Sequence, residues 1–322
     1  VRIGPRQRTD VAGELVVRNI DPAAAGRVRL PVSQGAGEKA HLSAADGRRK
    51  LEFGAAPAHL TRPSTIKNFK ENTMERAPVY VILGATGGIG SAACRQLKAR
   101  GAEVALAARN RDRLEALSTE LGGAHFESLD ATDTAAVEAF VKSTVERYGA
   151  VDGIVNCVGS IILKAAHQTS DEEWRQTIAT NLDTAFAAVK AGAKTMRKGG
   201  GSIVLMATAA ARVGLPSHEA IAAAKAGVIG LGQSAAASYA PKKIRVNVVA
   251  PGLVDTPLSE KITGNPMMLK ASEGMHPLGR IGQPEEVASV IDWLLSDNAS
   301  WVTGQVIGID GGLSSVRAKA SA

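Results

Sequence analysis

The chain has 322 residues, 45% hydrophobic and 21% charged, a length that suits one large α/β domain or two small ones. No apolar run approaches the roughly 18–20 residues of a membrane span, and the two cysteines, Cys94 and Cys157, make neither a disulfide framework nor a zinc spacing; the expectation is a cytoplasmic protein with no membrane partner. Of the formal charge of +7, +6 sits in residues 1–73, with 13 basic and 7 acidic residues against 25 and 24 in the rest, so no nucleic-acid partner is expected of the body.

Residues 1–73 carry no sustained helical or strand period and are broken by Pro5, Pro22, Pro31, Pro57 and Pro63. They are expected to be mostly disordered. Met74 is the first methionine of the chain, and three readings of the leader stay open: an upstream extension without function, a targeting segment, or an accessory one. From residue 74 to 322 the pattern changes to a single domain. The predicted order is strand 79–83, helix 89–100, strand 103–108, helix 112–121, strand 125–129, helix 134–148, strand 153–156, helix 171–198, strand 202–207, helix 217–239, strand 244–249, a polar loop, helix 284–295 and strand 305–309. Strands alternating with helices mean right-handed βαβ units, hence an α/β fold with a doubly wound parallel sheet.

Between the first strand and helix of this body lies Gly84-Ala85-Thr86-Gly87-Gly88-Ile89-Gly90. Gly84 permits a tight turn, Gly88 a close approach to a pyrophosphate, and Gly90 close helix–strand packing. The helix N-terminus, with Thr86 and Ile89 beside it, offers free N–H groups to phosphates. This spacing resembles the short-chain dehydrogenase/reductase family, over residues 78–313, although Leu83 stands where the family has Thr. Asp130 matches the acid that meets the adenine. Asn156 and Gly159 are the kept ends of an Asn-Asn-Ala-Gly motif. Asn181 matches the helix Asn of the active site. Pro251, Gly252 and Thr256 match the segment that folds over the nicotinamide, and Asp310-Gly311-Gly312 matches the usual ending. The resemblance implies a Rossmann fold and a nicotinamide cofactor.

At the end of the second strand of this unit an acid would bond the ribose 2′-hydroxyl and repel a 2′-phosphate. That position is Ala108, followed by Arg109, whose guanidinium can grip a phosphate. NADP(H) is therefore expected over NAD(H), unless Arg109 and Arg111 merely start a solvated helix.

The family's active site has a Ser, a Tyr thirteen residues on and a Lys four residues later. Thr208 takes the Ser position and Lys225 the Lys position, but the Tyr position is Ile221. The usual proton donor is absent. Enoyl-thioester reductases of the superfamily place their Tyr seven residues before the Lys, where this chain has His218. His218, oriented by Glu219 or replaced by it, is one substitute; a polar rim is the other reading. The implied function is an oxidoreductase moving a hydride to or from a carbonyl or activated C=C, on a 3-oxoacyl- or enoyl-thioester-like small molecule. The alternative is a catalytically impaired cofactor binder. Residues 253–281, with Met267, Met268 and Met275, are expected to be the substrate loop. A homo-dimer or homo-tetramer through helices 171–198 and 217–239 is implied by the family.

Overall fold

Strand β3, Val79–Leu83, is buried at all five positions, as a continuous apolar run must be when helices cover both faces of a parallel sheet. The computed structural model of the protein describes residues 41–45, 48–52 and 76–317. The chain divides into two units, Val1–Thr73 and Met74–Ala322. In the first, β1 (His41–Ala45) and β2 (Arg48–Glu52) pair antiparallel. This short pair was not among the predicted elements. Asp46-Gly47, the two residues between them, is a standard two-residue hairpin signal that the prolines elsewhere obscured. The rest of the leader, and the expectation of disorder placed on it, lie outside the described residues.

The second unit is a seven-stranded parallel sheet. Its order is β5 (His125–Ser128), β4 (Glu103–Ala108), β3, β6 (Gly153–Asn156), β7 (Gly201–Met206), β8 (Ile244–Pro251) and β9 (Val306–Ile309). Alternate residues of β3 feed two cores. Tyr80 and Ile82 meet α1 (Gly88–Ala99), α2 (Arg111–Glu120) and α9 (Pro284–Leu295) through Leu97, Leu114 and Ile291. Val81 and Leu83 meet α3 (Thr134–Tyr148), α5 (Thr184–Thr195) and α6 (Glu219–Tyr239) through Phe140, Ala188 and Val228. The winding reverses between β3 and β6. Open α/β sheets take their ligands at the strands' carboxyl ends beside such a reversal.

Local chemistry sets the helix ends. Asp133 caps α3 by accepting from the Ala135 and Ala136 amides, and Gly149, at φ 84°, ends it. Both signals are visible in the sequence, and the predicted bounds of 134–148 match.

Three expectations need correction. The helix foreseen at 171–198 begins as α4 (Asp171–Ile178), widens into a π-helical turn at Ala179–Asp183, and resumes as α5, ending at Thr195. Such turns have no hydrophobic-period signature and recur at functional sites. The polar loop after β8 contains α7 (Glu260–Thr263) and α8 (Pro266–Met275). Asn265, which caps α8, and Pro266 at its first position were the available signals. Finally, Glu219–Lys242 is long and apolar enough to cross a membrane by length and composition, although no such run was expected. In the fold this helix is part of the core. Gly232 approaches β8 so closely that a Cβ there would lie 2.5 Å from Val248 Cγ2.

Candidate active site

The turn after β3 is shaped by backbone rather than by side chains. Gly84 has φ 75°, and a Cβ on it would sit 2.9 Å from the Cys157 carbonyl carbon and the Val158 nitrogen. A Cβ on Gly90 would lie 2.3 Å from the Gly84 carbonyl oxygen. Only glycine lets α1 start this close to β3 and β6. The N-cap, Gly87, offers no side chain, and the first turn holds no acid. Among the described residues, nothing accepts from the amides of Gly88, Ile89 and Gly90. Thr86 lies half-buried on the same loop. An uncapped, glycine-lined helix N-terminus with open N–H groups fits a pyrophosphate.

Around this loop the other predicted cofactor residues converge from several elements. Arg109 is exposed at the end of β4, its carbonyl held by the Ser128 hydroxyl at 2.8 Å, and its guanidinium makes no ion pair among the described residues. Asp130 follows β5; the Thr132 amide, then the Thr132 hydroxyl, holds its carboxyl below the usual range. Asn156, buried at the end of β6, donates to Thr184 Oγ1 at 3.1 Å and accepts from the Val158 amide at 3.2 Å. From the far side, Thr256 reaches the loop: a Cβ on Gly88 would lie 2.6 Å from Thr256 Cγ2.

Beside it, Gly159 separates two side chains. A Cβ there would lie 3.1 Å from Asn181 Oδ1 and 3.4 Å from Lys225 Nζ. Asn181 sits on the π-helical turn, fully buried. It accepts from the Ser160 amide at 3.1 Å and donates to Ser160 Oγ at 2.9 Å and to the Thr177 carbonyl at 3.0 Å. Lys225, on α6, is buried and donates to the Met206 carbonyl at 2.9 Å. Among the described residues no carboxylate pairs with it, and burial pushes its ammonium down to about 8. Thr208, two residues beyond Met206, faces the Pro251 carbonyl at 3.5 Å. Ile221, one turn before Lys225 on the same helix, is buried and brings only hydrocarbon.

Residues 84–314 match the family described as Enoyl-(Acyl carrier protein) reductase. The chain is 38% identical to the 3-oxoacyl-(acyl carrier protein) reductase FabG of Thermotoga maritima, over 73% of this chain and 97% of that one. It is 36% identical to the D-threitol dehydrogenase of Mycolicibacterium smegmatis, over 73% and 92%. A solved short-chain type dehydrogenase/reductase from Mycobacterium ulcerans superposes with a TM-score of 0.72 at 33% identity, covering 76% of this chain and 92% of that one. The chain belongs to the short-chain dehydrogenase/reductase family. It is an oxidoreductase of that type, and its family cofactor is a nicotinamide dinucleotide, which the uncapped glycine loop fits.

Within this dehydrogenase/reductase, His218 stands apart from the cluster just described. It is half-exposed at the start of α6, after Ser217, which adopts φ 59°. Its Nδ1 bonds the Pro216 carbonyl at 2.7 Å, and it makes no hydrogen bond to Asn181, Thr208, Lys225 or Glu219 among the described residues. Sequence reasoning also missed two residues. One is Ser160, which holds Asn181 from both sides of the amide. The other is His276, buried at the end of α8. His276 Nδ1 donates to the Ser272 carbonyl at 2.6 Å, and Nε2 accepts from the Leu253 amide at 3.2 Å. A Cβ on Gly252 would sit 2.4 Å from that Nε2, so the histidine props the Pro251–Gly252 turn from beneath. No local pattern marks it, because its partners lie four and 23 residues away.

Proposed function

We propose that this enzyme is an NADP(H)-dependent reductase acting on a carbonyl or activated C=C of an acyl-thioester-like substrate, with Asn181, Thr208 and Lys225 as its working side chains. The observation that carries the reading is the convergence of Lys225 and Asn181 on Gly159, beside Thr208 and next to the open amides of the phosphate loop. When bound there, a reduced nicotinamide supplies the hydride. Thr208 donates a hydrogen bond to the substrate oxygen as negative charge develops on it. Lys225 holds the nicotinamide ribose, and Asn181 fixes the backbone at Ser160. Ala108 leaves room for a 2′-phosphate, and the exposed Arg109, without an ion pair among the described residues, provides a cation for it.

The names of the relatives favour acyl-thioester chemistry over that of simple ketones, and the apolar Ile221 agrees. The experiment is loss of NADPH absorbance with 3-oxoacyl and enoyl thioesters and simple ketones, beside gain of that absorbance from NADP+ with polyols. Turnover of the thioesters supports the reading; turnover of polyols alone would replace the substrate class. Assembly belongs to the same proposal. Phe186, 51% exposed on α5, lies with Leu231 and Tyr239 of α6 along one groove, which suits a homo-dimer or homo-tetramer. Phe186→Asp should shift the protein to monomer in light scattering.

A further inference from the structure

Ile221 leaves a chemical vacancy. A carbonyl reduced by hydride ends as an alkoxide, and some group must deliver a proton to that oxygen. The phenol that would do so is replaced by a buried aliphatic side chain. Thr208 can donate a hydrogen bond but holds no surplus proton at neutral pH. His218 spends Nδ1 on the Pro216 carbonyl, outside the cluster. Cys157, at the end of β6, is the titratable group acting on Lys225; burial pushes its thiol up to about 12, which leaves it too weak an acid.

Lys225 itself remains. Its ammonium carries three protons, and the structure gives one of them to the Met206 carbonyl. That bond fixes Nζ beside the end of β7, two residues from Thr208. The other two are free for a neighbour, and Nζ lies beside Gly159, 3.4 Å from where a Cβ on that glycine would be. Among the described residues no carboxylate pairs with this charge: of the acids on the neighbouring α4 and π-helical turn, Asp171, Glu172 and Asp183 are exposed and Glu173 pairs with Lys164.

We propose that Lys225 is the general acid of this enzyme, passing a proton from Nζ to the substrate oxygen directly or through one water. This rests on the reductase reading above. In the step, a bound reduced nicotinamide would supply a hydride, two electrons and a proton, to the carbonyl carbon. The carbonyl π pair moves onto oxygen, the oxygen takes a proton from the Lys225 ammonium, and the resulting amine regains one from solvent. A buried ammonium pushed down to about 8 is far better matched to this work than an ordinary lysine.

Two experiments test it. In the cofactor-free protein, NMR titration of the Lys225 Nζ should show loss of its proton near pH 8. A side chain that stays charged to pH 10 overturns the proposal, whether or not turnover is found. In steady state, kcat for reduction should fall as pH rises through about 8, and for alcohol oxidation it should rise over the same range. Lys225→Arg keeps a cation for the ribose but cannot give up a proton, so NADPH binding by fluorescence should persist while kcat drops about 10²-fold or more and the pH limb disappears. Lys225→Met serves if the guanidinium disturbs folding, with the same loss of kcat and limb. Turnover with no limb near pH 8, or a limb that survives Lys225→Arg and vanishes in His218→Gln, overturns the proposal and leaves the reductase reading standing.

Discussion

The cofactor half of the sheet, β4–β3–α1, and the substrate half, β6–β7–α6 with α7 and α8, obey different kinds of constraint. In the first, close approach decides: a Cβ on Gly84 or Gly90 would strike backbone atoms, and one on Gly88 the Thr256 side chain. A steric demand of this kind leaves its mark on the residue type. In the second half the chemistry rests on side chains. On the proposed reading, one group replaces another there provided the proton still arrives, and Ile221 occupies a tyrosine's place.

The largest effect should come from breaking the first half. Gly90→Val places methyl groups where a Cβ alone already meets the Gly84 carbonyl at 2.3 Å. It should cost about 3 kcal/mol or more of stability and abolish NADPH binding, read by chemical denaturation and fluorescence titration.

Lys225→Met should have the opposite sign on stability. Burial lowers the Lys225 pKa to about 8 from its ordinary 10.5, so below pH 8 the folded protein carries a charge it would rather shed. Between those two values the unfolded chain binds the extra proton, so the parent gains stability as pH rises from 8 to 10.5. At pH 7 the Met variant should be more stable, by at most on the order of 3 kcal/mol, and lack that pH-dependent gain. Denaturant melts of both proteins from pH 6 to 10 check it; a less stable variant would refute the cost of burying this ammonium.

Arg109→Ala sharpens the cofactor side. Loss of one charge-assisted phosphate contact costs about 1.5–3 kcal/mol, so NADPH affinity should fall roughly ten- to a hundredfold while NADH affinity stays put. Equal parent affinities for the two cofactors would contradict the assignment. The smallest effect concerns His276. His276→Leu leaves the Leu253 amide without an acceptor, which should cost roughly 1–2 kcal/mol and speed exchange of that amide. His276→Gln, which keeps an acceptor near Nε2, should recover part of the protection.

The same division explains what the sequence revealed. The βαβ order, the caps of α3 and the phosphate loop were legible because they are local: Asp133, Gly149 and the glycines act within a turn of where they stand. Asn181 and Lys225 could be located by motif, but not the π-helical turn that presents Asn181 or the burial that makes Lys225 acidic, since both arise from packing between distant elements. Ser160 and His276 were invisible for the same reason. The core role of α6, despite its membrane-like composition, depends on Gly232 meeting Val248, which no window of α6 alone contains.

Single-turnover mixing of the enzyme–NADPH complex with a 3-oxoacyl thioester at pH 7 asks whether chemistry survives without the phenol. Stoichiometric loss of NADPH absorbance with formation of the 3-hydroxyacyl thioester is expected. A protein that binds NADPH tightly yet leaves that absorbance unchanged with every 3-oxoacyl and enoyl thioester would contradict it, and would mark the fold as a cofactor binder whose catalysis ended at Ile221.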